Sequence, residues 1–116
     1  MCTNEELYSC IKECYYDSCT FEETLARVVK RFPYKSFDDE YVAKILTEVI
    51  EEELSLKYLD LDNYKNRSQV LGYIKDILYC DEDIELFSIG DALYDSFQEG
   101  AFTVDSLLRA VKEVKR

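Results

Sequence analysis

One proline, Pro33, and three isolated glycines, Gly72, Gly90 and Gly100, are all the chain-breaking residues in 116 positions. An all-β protein needs such residues at most of its turns. A chain this poor in them is therefore expected to fold as helices joined by short polar connections. Apolar residues make up 47% of the sequence, with ten Tyr and six Phe. That is enough to build a core in spite of 34% charged residues, and it argues against disorder. The length suits a single helical domain over residues 1–116 with one core.

The starts of the helices are written in capping residues. Thr3-Asn-Glu-Glu6 and Thr20-Phe-Glu-Glu23 both fit the capping box, in which a threonine hydroxyl and a glutamate three residues later satisfy free amides. After the first, Leu7, Cys10, Ile11, Cys14 and Tyr15 fall at helical spacing, and Phe21, Leu25, Val28, Val29 and Phe32 follow the second. Pro33 ends the second helix or lies just beyond it. A third helix is expected after Ser36, with Asp38, Asp39 and Glu40 at the positive end of its dipole and Val42, Ile45, Leu46 and Val49 on its apolar face. Lys57 to Asn66 has no clear period and is expected to be a longer connection. A fourth helix runs from about Arg67 to Tyr79. Asp81-Glu-Asp83 then forms a turn into a fifth helix on Leu86, Phe87, Leu93, Tyr94 and Phe97, and Thr103 caps a sixth on Val104, Leu107, Leu108 and Val111. The expectation is an all-α fold of about six helices arranged as three antiparallel hairpins, roughly 4–32, 37–79 and 84–115.

The chain also matches itself. Glu6-Leu-Tyr-Ser9 aligns with Glu85-Leu-Phe-Ser88, Tyr16-Asp-Ser18 with Tyr94-Asp-Ser96, and Thr24-Leu-Ala-Arg-Val-Val-Lys30 with Ser106-Leu-Leu-Arg-Ala-Val-Lys112. Gln69-Val-Leu-Gly-Tyr-Ile-Lys75 fits more loosely. These alignments place Lys30, Lys75 and Lys112 at one equivalent position. In period and pattern the chain resembles HEAT-like helical repeats, a resemblance that implies a short α-solenoid or a compact helical bundle and carries no functional motif.

Three cysteines crowd into "CIKECYYDSC", Cys10 to Cys19, with Cys2 upstream and Cys80 far away. Structural zinc sites favour close pairs of ligands and often use histidine, whereas the spacings here are four and five positions and the chain has no histidine. The internal match places Cys10, Cys14 and Cys19 where Ile89, Leu93 and Phe97 stand, so the cysteines read as small core residues. Without histidine a cysteine nucleophile needs a cation beside it, and along the sequence only Lys12 is near, between acids. Counted from Asp60, a calcium loop would need Gly at its sixth position and Glu at its twelfth, where Lys65 and Leu71 stand instead. No glycine-rich phosphate loop is present. No enzymatic activity, cofactor or metal is expected.

The net charge of −11 disfavours direct contact with nucleic acid or an anionic membrane and favours a basic protein partner. No secretory leader or membrane-spanning run is recognisable, so a cytoplasmic protein is expected, in a host cell if the chain is viral or from a phage. Five cysteines in that setting read as reduced thiols. Nine acids and no lysine or arginine lie between Asp76 and Asp105, and nine acids face only Lys44 and Lys57 between Asp38 and Asp62. The expected function is a non-enzymatic inhibitor that occludes a basic, nucleic-acid-handling protein, in the manner of an immunity protein or of a phage or viral inhibitor that imitates a polyanion. Its expected contact residues are Asp38, Asp39, Glu40, Asp81, Glu82, Asp83, Glu85, Asp91 and Asp95, with Tyr16 and Tyr94 as rigid anchors. The alternative is a helical-repeat scaffold or adaptor that holds a peptide or helix in an apolar groove.

Overall fold

Helical periodicity and capping decide the elements of the computed structural model, which describes residues 4–33, 37–97 and 100–115. Its described residues form six α-helices: α1 (Asn4–Tyr16), α2 (Phe21–Arg31), α3 (Asp39–Leu54), α4 (Arg67–Cys80), α5 (Leu86–Phe97) and α6 (Val104–Lys115). The fold is all-α. Thr3, Ser36 and Cys2 lie outside the described residues, and with them the cap expected for α1. The contacts divide the chain into two units, Met1–Ser55 and Leu56–Arg116.

In the first unit α1 packs against both α2 and α3. Leu7, Cys10, Ile11 and Cys14 form the buried stripe of α1, at the spacing that keeps side chains on one helical face. Phe21, Thr24 and Val28 face inward from α2, and Val42, Ala43, Ile45, Leu46, Thr47 and Val49 from α3. Each large apolar side chain so buried contributes about 1.5–3 kcal/mol relative to exposure. Thr20 closes the predicted capping box: the Glu23 amide donates to its hydroxyl and its own amide donates to the Glu23 carboxylate, both at 3.2 Å. Pro33 lies two residues beyond the end of α2. Phe32 then meets Phe37 edge to face, and Phe37 stacks on Tyr41, across the α2–α3 connection.

The second unit surrounds α6 with α4, α5 and the irregular 57–66 segment. That segment is more ordered than its lack of period suggests. Tyr58–Leu59 (β1) pairs in parallel with Ala101–Phe102 (β2), and a single 3₁₀ turn follows at Leu61–Asn63. Two-residue strands are too short to leave a period in the sequence. Gly100 enters β2 at φ +146°, and a Cβ there would stand 2.9 Å from the Lys57 carbonyl oxygen, so only glycine permits this approach. Leu61 is fully buried, and its amide donates to Ser106 Oγ at 3.2 Å. Ser106, itself fully buried, donates to the Thr103 carbonyl at 3.1 Å. One hydroxyl thus ties the connection to α6.

Thr20 and Thr103 stand alike at the starts of α2 and α6; the Ser106 amide donates to the Thr103 hydroxyl at 3.3 Å. Aligning the two helices on these caps pairs the buried residues Phe21 with Val104, Thr24 with Leu107 and Val28 with Val111. This register differs by one residue from the one sequence identity suggests, and it sets Lys30 opposite Glu113 rather than Lys112. Capping and burial fix a helix rotation, whereas matching letters do not.

Candidate functional site

The "CIKECYYDSC" stretch resolves into helix chemistry. Cys10 and Cys14 belong to the buried stripe of α1, and Cys19 is the third residue beyond its end. There the Cys19 amide donates to the Cys14 carbonyl and the Ser18 amide to the Tyr15 carbonyl, both at 3.0 Å, with Ser18 left-handed at φ 59°. This is the Schellman termination, which commonly brings the residue two past the C-cap against the last turn. Cys19 is placed by the need to end α1. Among the described residues no three His, Cys, Asp or Glu side chains converge so as to hold a metal ion. Burial pushes the Cys14 thiol up to about 11, and burial also raises that of Cys10.

Sequence proximity placed only Lys12 near these thiols; the structure places three more cations there. A cleft of about 350 Å³ between α1 and α2 is lined by Cys10, Glu13 and Cys14 on one side and Arg27, Lys30 and Arg31 on the other. Residues 27, 30 and 31 share one face of α2 at one-turn spacing. Arg27 pairs with Asp17 at 2.7 Å and Arg31 with Glu13 at 3.4 Å, both exposed pairs. Lys12 points elsewhere and pairs with Glu53 of α3 at 3.3 Å.

The expected acidic contact residues fall into three places. Asp38, Asp39 and Glu40 open α3, where the Asp38 carboxylate accepts from the Glu40 amide at 3.3 Å and works as the N-cap. Tyr16 is 60% exposed, and its hydroxyl donates to Glu53 Oε1 at 2.9 Å. Glu53 lies thirteen residues beyond Glu40 on α3, about 20 Å along the helix axis. Tyr16 and Asp38–Glu40 therefore mark opposite ends of the first unit's α3. The hydrogen bond from Tyr16 holds the Glu53 carboxyl below its usual range, Lys12 adding to the effect, and the same bond raises the Tyr16 phenol. Two turns earlier on α1, Tyr8 donates likewise to Glu52.

The third place, in the second unit, runs from the last turns of α4 through the α4–α5 turn and along α5. Asp76, Asp81, Glu82, Asp83, Glu85, Asp91 and Asp95 are all exposed there. The Asp83 amide donates to Asp81 Oδ1 at 3.1 Å, which fixes the turn. Among the described residues no ion pair reaches Asp76, Asp81, Glu82, Asp83, Glu85 or Asp91. Two arginines of this unit, among the described residues, are occupied elsewhere: Arg109 with Asp62 and Asp105 at 2.5 and 2.6 Å, and Arg67 with Glu113. The two carboxylates raise Arg109 far above its ordinary range. Tyr94 is 46% exposed, one turn beyond Asp91. Tyr79, which composition alone did not separate from the other tyrosines, is 90% exposed beside Cys80 and Asp81 and is the most prominent aromatic of this surface.

No helix among the described residues is long and apolar enough to cross a membrane. No family model, no curated protein and no solved structure matches the chain.

Proposed function

We propose that this chain is a non-enzymatic binding protein that occludes a basic, nucleic-acid-handling protein partner, using the acidic surface of α4's end, the α4–α5 turn and α5. One observation carries the reading. Among the described residues, six exposed carboxylates of the second unit have no ion pair, while Asp62, Asp105 and Glu113 of the same unit are each paired with arginine. A chain that supplies internal partners for one set of acids and none for the other keeps a negative potential at that place, and such a potential steers a cationic partner toward it. Tyr79 and Tyr94 add rigid contact area that loses little entropy on docking and fits the role of anchors. Asp38 caps α3, Asp39 and Glu40 lie in its first turn where they complement the dipole, and Tyr16 has its hydroxyl engaged, so we place the contact on the second unit.

Co-purification from the native genetic neighbourhood identifies the partner. Its affinity should then fall by about tenfold or more between roughly 0.05 and 0.5 M salt. The triple change Asp81→Lys, Glu85→Lys, Asp91→Lys should abolish it. Binding that ignores both salt and charge reversal would refute the electrostatic reading and favour an apolar groove.

A further inference from the structure

We propose that the α1–α2 cleft of the first unit is a binding site for a small phosphorylated molecule, held by Arg27, Lys30 and Arg31 over a floor of two neutral thiols. The inference concerns a different unit from the acidic surface and stands apart from the function proposed above.

Charge is the first argument. In a chain of net −11, three cations and one carboxylate, Glu13, line about 350 Å³, and a second carboxylate, Asp17, reaches Arg27 from outside the lining. Placement at the end of α2 explains part of this, because Lys30 and Arg31 lie in the last turn, where cations complement the dipole. It does not explain Arg27, one turn earlier, nor why all three share one face. Arg27 and Arg31 stand at i and i+4, a like-charge spacing that destabilises a helix, and their exposed pairs with Asp17 and Glu13 leave part of that repulsion to be relieved. A bound dianion supplies that relief.

Availability is the second. Among the described residues Lys30 has no ion pair. Arg31 holds Glu13 through one 3.4 Å contact, and Arg27 holds Asp17 through one nitrogen. Both pairs are solvent-exposed, and such pairs are worth little, so an anion of higher charge displaces them readily. A guanidinium presents its remaining N–H groups as a planar fork, and the fork fits two oxygens of a phosphate at once. Cys10 and Cys14, buried and neutral, offer weak S–H donors and no opposing charge. The volume admits a small phosphorylated molecule. The acidity of the whole chain repels an extended polyanion such as RNA, which selects for the small ligand.

Titration of the isotopically labelled full chain with inorganic phosphate and pyrophosphate, against sodium chloride at matched ionic strength, tests the site. The amides of Cys10, Cys14, Arg27, Lys30 and Arg31 should shift saturably, with pyrophosphate binding more tightly than phosphate. Lys30→Ala should weaken pyrophosphate by about tenfold, one charge-assisted contact. Glu13→Gln should tighten it, because it removes the competing carboxylate and releases Arg31. Weakening and tightening in opposite directions cannot both arise from unfolding, and an unchanged thermal midpoint in each variant confirms that the fold is kept. Equal shifts with chloride, movement of both variants in one direction, or tighter binding of a short oligonucleotide than of pyrophosphate would overturn the proposal.

Discussion

The α1–α2 pair and the α5–α6 pair are built on the same plan and differ in where their charges go. In each, the first helix buries a stripe at helical spacing, Leu7, Cys10 and Cys14 against Leu86, Ile89 and Leu93, and a threonine opens the second helix. In the first pair the cations of α2 border the thiols and leave a cationic cleft. In the second, Arg109 turns instead toward Asp62 and Asp105, and Asp91 of α5 stays exposed with no ion pair among the described residues. An amphipathic framework thus fixes which residues are inside but not which surface is charged. The surface depends on what the neighbouring segments offer as ion-pair partners.

The widest gap between the pairs should appear on truncating the buried stripe. Leu93→Ala removes a fully buried branched side chain and should cost about 2–5 kcal/mol in chemical denaturation. Cys14→Ala removes one sulfur from the matching position and should cost about 1 kcal/mol. Equal losses would break the equivalence of the two stripes.

Next in size is the pair of buried hydroxyls. Ser106→Ala leaves the buried Leu61 amide without its acceptor and should cost about 1–3 kcal/mol. Thr24→Ala removes a bond from Thr24 Oγ1 to the Thr20 carbonyl within the helix's own first turn, so the backbone loses no acceptor and the cost should stay below about 1 kcal/mol. A loss at Thr24 as large as at Ser106 would show that the first unit has a tie like the one between α6 and its connection.

The smallest effect at neutral pH, and the one most specific to the thiols, is alkaline. Cys14 has its folded pKa raised from 9.0 to about 11. Its contribution to stability is therefore complete below pH 9 and is lost as pH rises through about 11. Cys10, Tyr8 and Tyr16 are raised in the same direction, the tyrosines by their bonds to Glu52 and Glu53, while Arg27 and Arg31 partly oppose the rise at the thiols. Ile89 and Leu93, at the matching places of α5, do not titrate. Amide exchange of α1 should accelerate above pH 9 relative to α5, and Cys10→Ala with Cys14→Ala should narrow that difference. A wild-type α1 whose exchange, after correction for hydroxide, does not gain on that of α5 would contradict the burial of the thiols.

Much of this was legible in the sequence because it is local. The Thr20 box, the stop before Pro33, the span of α4 and the cap at Thr103 each depend on residues within one turn of one another, and the structure keeps them all. The place of Cys10 and Cys14 was legible through the internal match, and that of Cys19 only in part. The match presented it as a core residue, while its position follows from a hydrogen bond back to Cys14 that ends α1. The β1–β2 pairing and the bond from Leu61 to Ser106 join residues more than forty positions apart through two-residue strands and one hydroxyl, and no periodicity records such a tie.

By itself the sequence determined that the chain is helical, where five of its six helices begin, and which stripe of each is apolar, because propensity, capping and amphipathic spacing act over a few residues. Only the tertiary structure decided which charges remain available. Arg27, Lys30 and Arg31 became the wall of a cleft when α2 packed on α1, and Arg109 was drawn away from α5 when the 57–66 segment folded against α6. Coulomb interaction depends on distance in space, and packing alone sets that distance.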